Sequence, residues 1–149
     1  MKVFNHILVA IDDSPISFAA AAQARELAQL SQSQVTILSV VAVDPFVGVD
    51  FYKVAPAITD YFIQAEKHAL ARLDELALGF QQDGIHVQSK VVHGVAPADG
   101  ILQSAEELGA DLIMMGSNGR SGLEKMVLGS VAQKVLAQAK IPVLIHKAK

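Results

Sequence analysis

The 149-residue sequence contains no cysteine and no tryptophan, and its aromatic residues amount to two tyrosines and six phenylalanines. Without cysteine there can be no disulfide, no thiolate metal ligand and no cysteine nucleophile, which suits a reducing compartment. Charge is sparse as well, at 18% of residues with a formal net charge of −3. Such a balance provides no basic stripe for a phosphodiester backbone, so nucleic acid is not an expected partner. Long apolar runs are also missing. The opening stretch Ile7–Ile11 stops at Asp12-Asp13, too short for the core of a signal peptide, and no run approaches the ~18 residues of a membrane span. These absences lead us to expect a soluble, cytoplasmic protein without a membrane partner, with residues 1–149 forming one domain.

What the sequence does have is apolar content, 52% of residues, arranged in two alternating periodicities. Five short β-rich runs stand out at Val3–Ala10, Val35–Val41, His86–Val92, Asp111–Met115 and Pro142–His146. Between them, apolar residues recur at helical spacing: Ala20, Ala24 and Leu27; Phe62, Ala69, Leu73, Leu76 and Phe80; Ile101, Ala105 and Leu108; Val131, Val135 and Leu136. Ser14-Pro15 reads as an N-cap followed by proline at the first helical position, and Gly84 and Gly109 follow the second and third helices. The run Ala19–Ala22 gives the first helix a thin face for close approach to a sheet. Strand–helix alternation of this kind implies an α/β fold, a three-layer sandwich whose parallel sheet carries helices on both faces. The stretch Pro45–Pro56 reads as the longest irregular connection.

Ligands of open parallel sheets bind beyond the carboxyl ends of the strands. The first strand ends Ala10-Ile11-Asp12-Asp13-Ser14-Pro15, with no glycine for a dinucleotide turn or phosphate cradle. It does present a carboxylate, Asp12, while Asp13 and Ser14 read as helix-capping residues. The fourth strand ends in Met115-Gly116-Ser117-Asn118-Gly119-Arg120-Ser121-Gly122, and nine residues separate Gly119 from Gly129-Ser130, which open the last helix. Glycines at 116 and 119 allow backbone N–H groups to turn toward an anion. The start of the last helix adds unpaired N–H groups and a positive dipole end. Arg120 and Lys125 stand between as counter-charges.

The spacing Gly116-x-x-Gly119-(nine residues)-Gly129-Ser130 resembles the nucleotide-binding signature of the universal stress protein family, in its ATP-binding branch. The likeness extends in register to His6–Asp12, Ala110–Gly116, Leu128–Ala132 and Ile141–Ile145, so it covers essentially the whole chain. It implies a five-stranded parallel sheet of order 3-2-1-4-5, with ATP as cofactor, accompanied by Mg2+, and a homodimer. It further implies that Asp12 and the backbone of Ala10 and Ile11 contact ribose and adenine, with Val40 flanking the base. Gly116, Gly119, Gly129, Ser130 and Val131 would hold the phosphates, beside Met115 and Arg120. One departure is Leu38-Ser39-Val40, where many relatives carry Leu-His-Val. In the implied strand order, the first and fourth strands are neighbours at the switch point, so Asp12 and Gly116 would face each other across the crevice. The uncharged edge Pro142–Ile145 would be covered by a two-fold mate.

Motifs for catalysis are missing. There is no G-x-x-x-x-G-K-[ST], H-E-x-x-H, G-x-S-x-G or S-x-x-K, nor the Ser-Gly-Gly loop of the ATP pyrophosphatases. The five histidines lack ligand spacing, and only His93, beside Gly94 at a strand end, could face the site. Two readings remain open. One is a nucleotide-dependent regulatory switch or adaptor of the stress response, read by partner proteins. The other is a slow ATP hydrolase or self-phosphorylating protein, in which Asp12 places Mg2+ or water and Ser117, Ser121 or Ser130 accepts phosphate.

Overall fold

The computed structural model describes residues 3–41, 51–117 and 128–147, with the backbone alone at 51–59 and 62. Its elements alternate along the chain: β1 (His6–Ala10), α1 (Pro15–Ser31), β2 (Gln34–Val41), α2 (Phe51–Gln82), β3 (Val87–His93), α3 (Pro97–Leu108), β4 (Leu112–Gly116), α4 (Ser130–Gln138) and β5 (Val143–His146). All strand pairs are parallel and the order is β3-β2-β1-β4-β5. The fold expected from the resemblance is the one observed, with each strand displaced from its β-rich run by no more than a few residues.

Alternation along the strands divides the core in two. Ile7, Val9, Val35, Ile37 and Met114 face α1 and α2, where they meet Ala21, Ala24, Ala28, Leu73 and Phe80. Leu8, Leu38, Ile113 and Met115 point the other way, onto Ala98, Ile101, Ala105, Ala132 and Val135 of α3 and α4. Burying each large aliphatic side chain is worth about 1.5–3 kcal/mol, so both faces of the sheet must be covered for the strands to persist. Of the run Ala19–Ala22, Ala20 and Ala21 are buried, as are Ala24 and Ala28 further along α1, while Ala19 is half-buried and Ala22 is exposed.

Local signals are where the residues place them. Ser14 caps α1 by accepting a hydrogen bond from the Ser17 amide at 3.2 Å, with Pro15 opening the helix. Gly84 and Gly109 take left-handed φ values of 77° and 66° at the ends of α2 and α3. One expectation needs correction. Residues 51–56, read as irregular, form the first turns of α2. Pro56 removes a single helical hydrogen bond there, and the 3–4 spacing of Phe51, Ala55, Ile58 and Phe62 carries the apolar periodicity of the helix through it. The rest of that connection, Pro45 to Asp50, lies outside the described residues.

The strand order fixes where a ligand can enter. From β1 the chain steps outward to β2 and β3 with its helices on one face. It then crosses back beyond β1 to β4 and β5 with its helices on the other face. The carboxyl ends of β1 and β4 therefore form the switch point, and the register (Val9 opposite Met114) brings the residues after both strands to the same end of neighbouring strands.

Candidate functional site

The β1 side of the crevice is built by extending the ladder one residue and then breaking it. The Ile11 amide donates to the Leu38 carbonyl at 2.8 Å, which keeps Ile11 buried and makes Asp12 the first exposed residue past the strand. The Asp12 amide donates to Ser17 Oγ at 3.3 Å, and Asp12 Oδ1 accepts from the Ser14 amide at 3.0 Å and from Ser14 Oγ at 2.5 Å. Ser14 Oγ thus links the carboxylate to the helix cap. Asp12 has both roles considered for it: it shapes the turn and still presents an exposed carboxylate. Ser14 is the cap expected. Asp13 is not: it turns left-handed at φ 69° and forms an ion pair with Arg72 of α2.

On the β4 side, Met115, Gly116 and Ser117 are buried. Gly116 has a different reason from the one its sequence context suggests. Its backbone is not left-handed, and a Cβ built on it would lie 2.7 Å from Ile16 Cγ2. Its missing side chain admits the start of α1. The Ser117 amide donates to the His146 carbonyl at 2.9 Å, and the Ser117 carbonyl accepts from the Gly129 amide at 2.7 Å. Those two amides are committed within the protein. The second bond pins the chain where it leaves β4 to the point where it enters α4. Gly119 and Arg120, with Lys125 and Ser121, lie outside the described residues.

Gly129 stands at φ −64° and ψ 162° as the cap residue of α4 and has no side chain with which to cap it. The first-turn amides of Ser130 and Val131 precede any intrahelical acceptor, and Ser130 is exposed beside the half-buried Val131. The donors expected of this segment therefore narrow to Ser130 and Val131. Val40, half-buried on β2, packs against α3, where a Cβ on Gly100 would come within 2.8 Å of its Cγ2. Ala10 ends β1 half-buried. His93 Nε2 lies 3.8 Å from Glu66 Oε2 on α2.

Among the described residues, no cluster of three or more His, Asp or Glu side chains could hold a metal ion. A groove of about 550 Å3, lined by Asn5, Gln29, Gln32, Gln34, Asp83 and His86, opens at the amino ends of β2 and β3. That is the wrong end of the sheet for the switch point, and its one carboxylate, Asp83, is paired with Arg25.

Residues 4–147 match the universal stress protein family. Universal stress protein MJ0531 of Methanocaldococcus jannaschii is 34% identical over 146 residues, covering 98% of this chain and 84% of its own. The chain belongs to the universal stress protein family. Among solved structures of similar fold, MJ0577 of the same organism superposes with a TM-score of 0.83 at 25% identity, covering 97% of this chain and 96% of its own. A universal stress protein solved in complex with cAMP superposes at 0.65 with 26% identity, covering 95% of each chain. For a universal stress protein, then, this chain's switch point is arranged around three described features: Asp12, the Ser117–Gly129 closure and the start of α4. Two contributors escaped the sequence. Ile16 shows itself only when α1 is docked against β4. Arg72 lies on a distant helix, and no local pattern ties it to Asp13.

Proposed function

We propose that this chain binds an adenine nucleotide, ATP, in the crevice between β1 and β4, and that it acts as a homodimeric nucleotide-dependent switch or adaptor in the cytoplasmic stress response. One observation carries the reading: an exposed carboxylate, Asp12, and an uncapped helix start, Ser130–Val131, stand at the carboxyl ends of adjacent strands where the strand order reverses. A carboxylate accepts hydrogen bonds from two ribose hydroxyls, and a helix start favours phosphate. In this reading Ala10, Ile11 and Val40 wall the base. The Ile11 amide is already bonded to Leu38, so that donor is not available to the base. Met115 and Gly116 form the floor, and Gly119, Arg120, Gly129, Ser130 and Val131 surround the phosphates. Mg2+ would arrive on the phosphate oxygens, since the described residues hold no acidic cage for it. The relative solved with cAMP supports adenine nucleotides as the ligand class. The homodimer would form through the Pro142–Ile145 edge, whose Val143, Leu144 and Ile145 are each half-buried in the single chain.

Mass spectrometry of nucleotide released from freshly purified protein tests the reading. Near-stoichiometric ATP is the expected result. Protein that releases no nucleotide and takes up none on titration would overturn it. Conversion of bound ATP to ADP with protein in excess, abolished by Asp12→Ala, would replace the switch with a hydrolase.

A further inference from the structure

The turn that presents Asp12 contains a residue held against its own preference. Asp13 sits at φ 69°, a region that side chains with a Cβ seldom enter, although aspartate and asparagine tolerate it better than most. Its carboxylate is paired with the Arg72 guanidinium. The next residue, Leu73, is 1% exposed in the core between α2 and the sheet, so the helix backbone that carries Arg72 is fixed relative to β1. On either side of Asp13, the Ser14 amide and Ser14 Oγ both donate to Asp12 Oδ1. This bridge spans Asp13, so a change of φ there separates Ser14 from Asp12 and re-aims the Asp12 carboxylate.

We infer that Arg72 is a positioning residue for the nucleotide site: by pairing with Asp13 it holds the turn left-handed and thereby directs Asp12 toward the sugar. The inference rests on the nucleotide reading above. It separates Arg72 from two simpler roles, a surface ion pair that only adds stability and a cation that attracts phosphate directly. Glycine at position 13 adopts the same φ without help, so Asp13→Gly keeps the turn while removing any need for Arg72.

Calorimetric titration with ATP of the wild type, Arg72→Gln, Asp13→Gly and the double variant tests this, with amide exchange at Ser14 followed alongside. Arg72→Gln should weaken ATP binding by roughly three- to tenfold, the range expected from a partly exposed ion pair and a strained backbone residue. It should also speed exchange of the Ser14 amide, and Arg72→Lys should recover part of both. Asp13→Gly should bind like the wild type, and Arg72→Gln should add nothing in that background. Equal binding by the wild type and Arg72→Gln overturns the inference alone. So does a loss that persists undiminished with Asp13→Gly, or one that leaves Ser14 exchange unchanged, since either places the action of Arg72 on the ligand. A wild type that binds no adenine nucleotide overturns the underlying reading and the inference with it.

Discussion

Gly116 and Ile16 meet where the end of β4 passes the start of α1, so closely that a Cβ on Gly116 would lie 2.7 Å from Ile16 Cγ2 and 3.0 Å from Cγ1. Both atoms belong to a β-branched side chain with little rotameric freedom in a helix, and the Ile16 backbone carbonyl carbon follows at 3.3 Å. Gly116→Ala should therefore push α1 away from β4 and destabilise the fold by about 1–3 kcal/mol, the usual cost of overpacking. Urea denaturation checks it. An unchanged midpoint would mean that the contact relaxes freely.

A polar chain, buried at His6 and Thr36 and exposed at Gln88, crosses the sheet at its amino end. Thr36, fully buried, accepts from Gln88 Nε2 at 2.9 Å, and its Oγ1 lies 2.7 Å from His6 Nε2. Burial holds the imidazole below its ordinary value of 6.5. The Leu108 carbonyl and Asp111 oppose this shift, and nearby His86 adds to it. Above pH 6.5 both folded and unfolded chains carry a neutral His6, and it contributes no pH dependence. As pH falls below 6.5, the unfolded chain takes up a proton that the folded one resists, and stability is lost until the folded pKa is passed. Comparing urea midpoints at pH 7.5 and 5.5 for the wild type and His6→Gln should show the larger drop in the wild type. Equal drops would contradict a neutral buried imidazole.

The edge of the sheet gives a third test, tied to the proposed assembly. Val143, Leu144 and Ile145 occupy β5, which among the described residues pairs on one side only, with β4. If this edge is the dimer contact, Val143→Lys places a charge in it and the protein should elute as a monomer from a sizing column. A variant eluting as a dimer beside a dimeric wild type would move the interface elsewhere.

The fold was legible because its signals are local. Hydrophobic periodicity marked the strands, Ser14-Pro15 marked the start of α1, and Gly84 and Gly109 marked helix ends that require positive φ. The C-terminus of α1 shows the limit of that logic, since Gln32 closes it at φ 56° without a glycine. The start of α2 was missed because Pro56 outweighed a continuing apolar stripe. At the site, Asp12 and the α4 start could each be read locally, but their meeting across one crevice followed from the strand order that the family resemblance implied. The purpose of Gly116 did not: its need for no side chain comes from Ile16, remote in sequence. The Asp13–Arg72 pair was hidden for the same reason, because a capping motif can be read from neighbouring residues but a contact between a loop and a distant helix cannot.

The central claim, that the amides opening α4 grip the phosphates of a nucleotide, is tested most directly by Ser130→Pro. Ser130 is the first helical residue, where proline is well tolerated, and Gly129 already holds the extended conformation (ψ 162°) that a following proline demands. The substitution deletes one N–H while leaving the helix able to form. Calorimetric titration with Mg-ATP should show affinity weakened by about tenfold or more, the scale of a lost charge-assisted hydrogen bond, with the thermal midpoint of the nucleotide-free protein unchanged. Wild-type affinity in a Ser130→Pro variant of normal stability would contradict it.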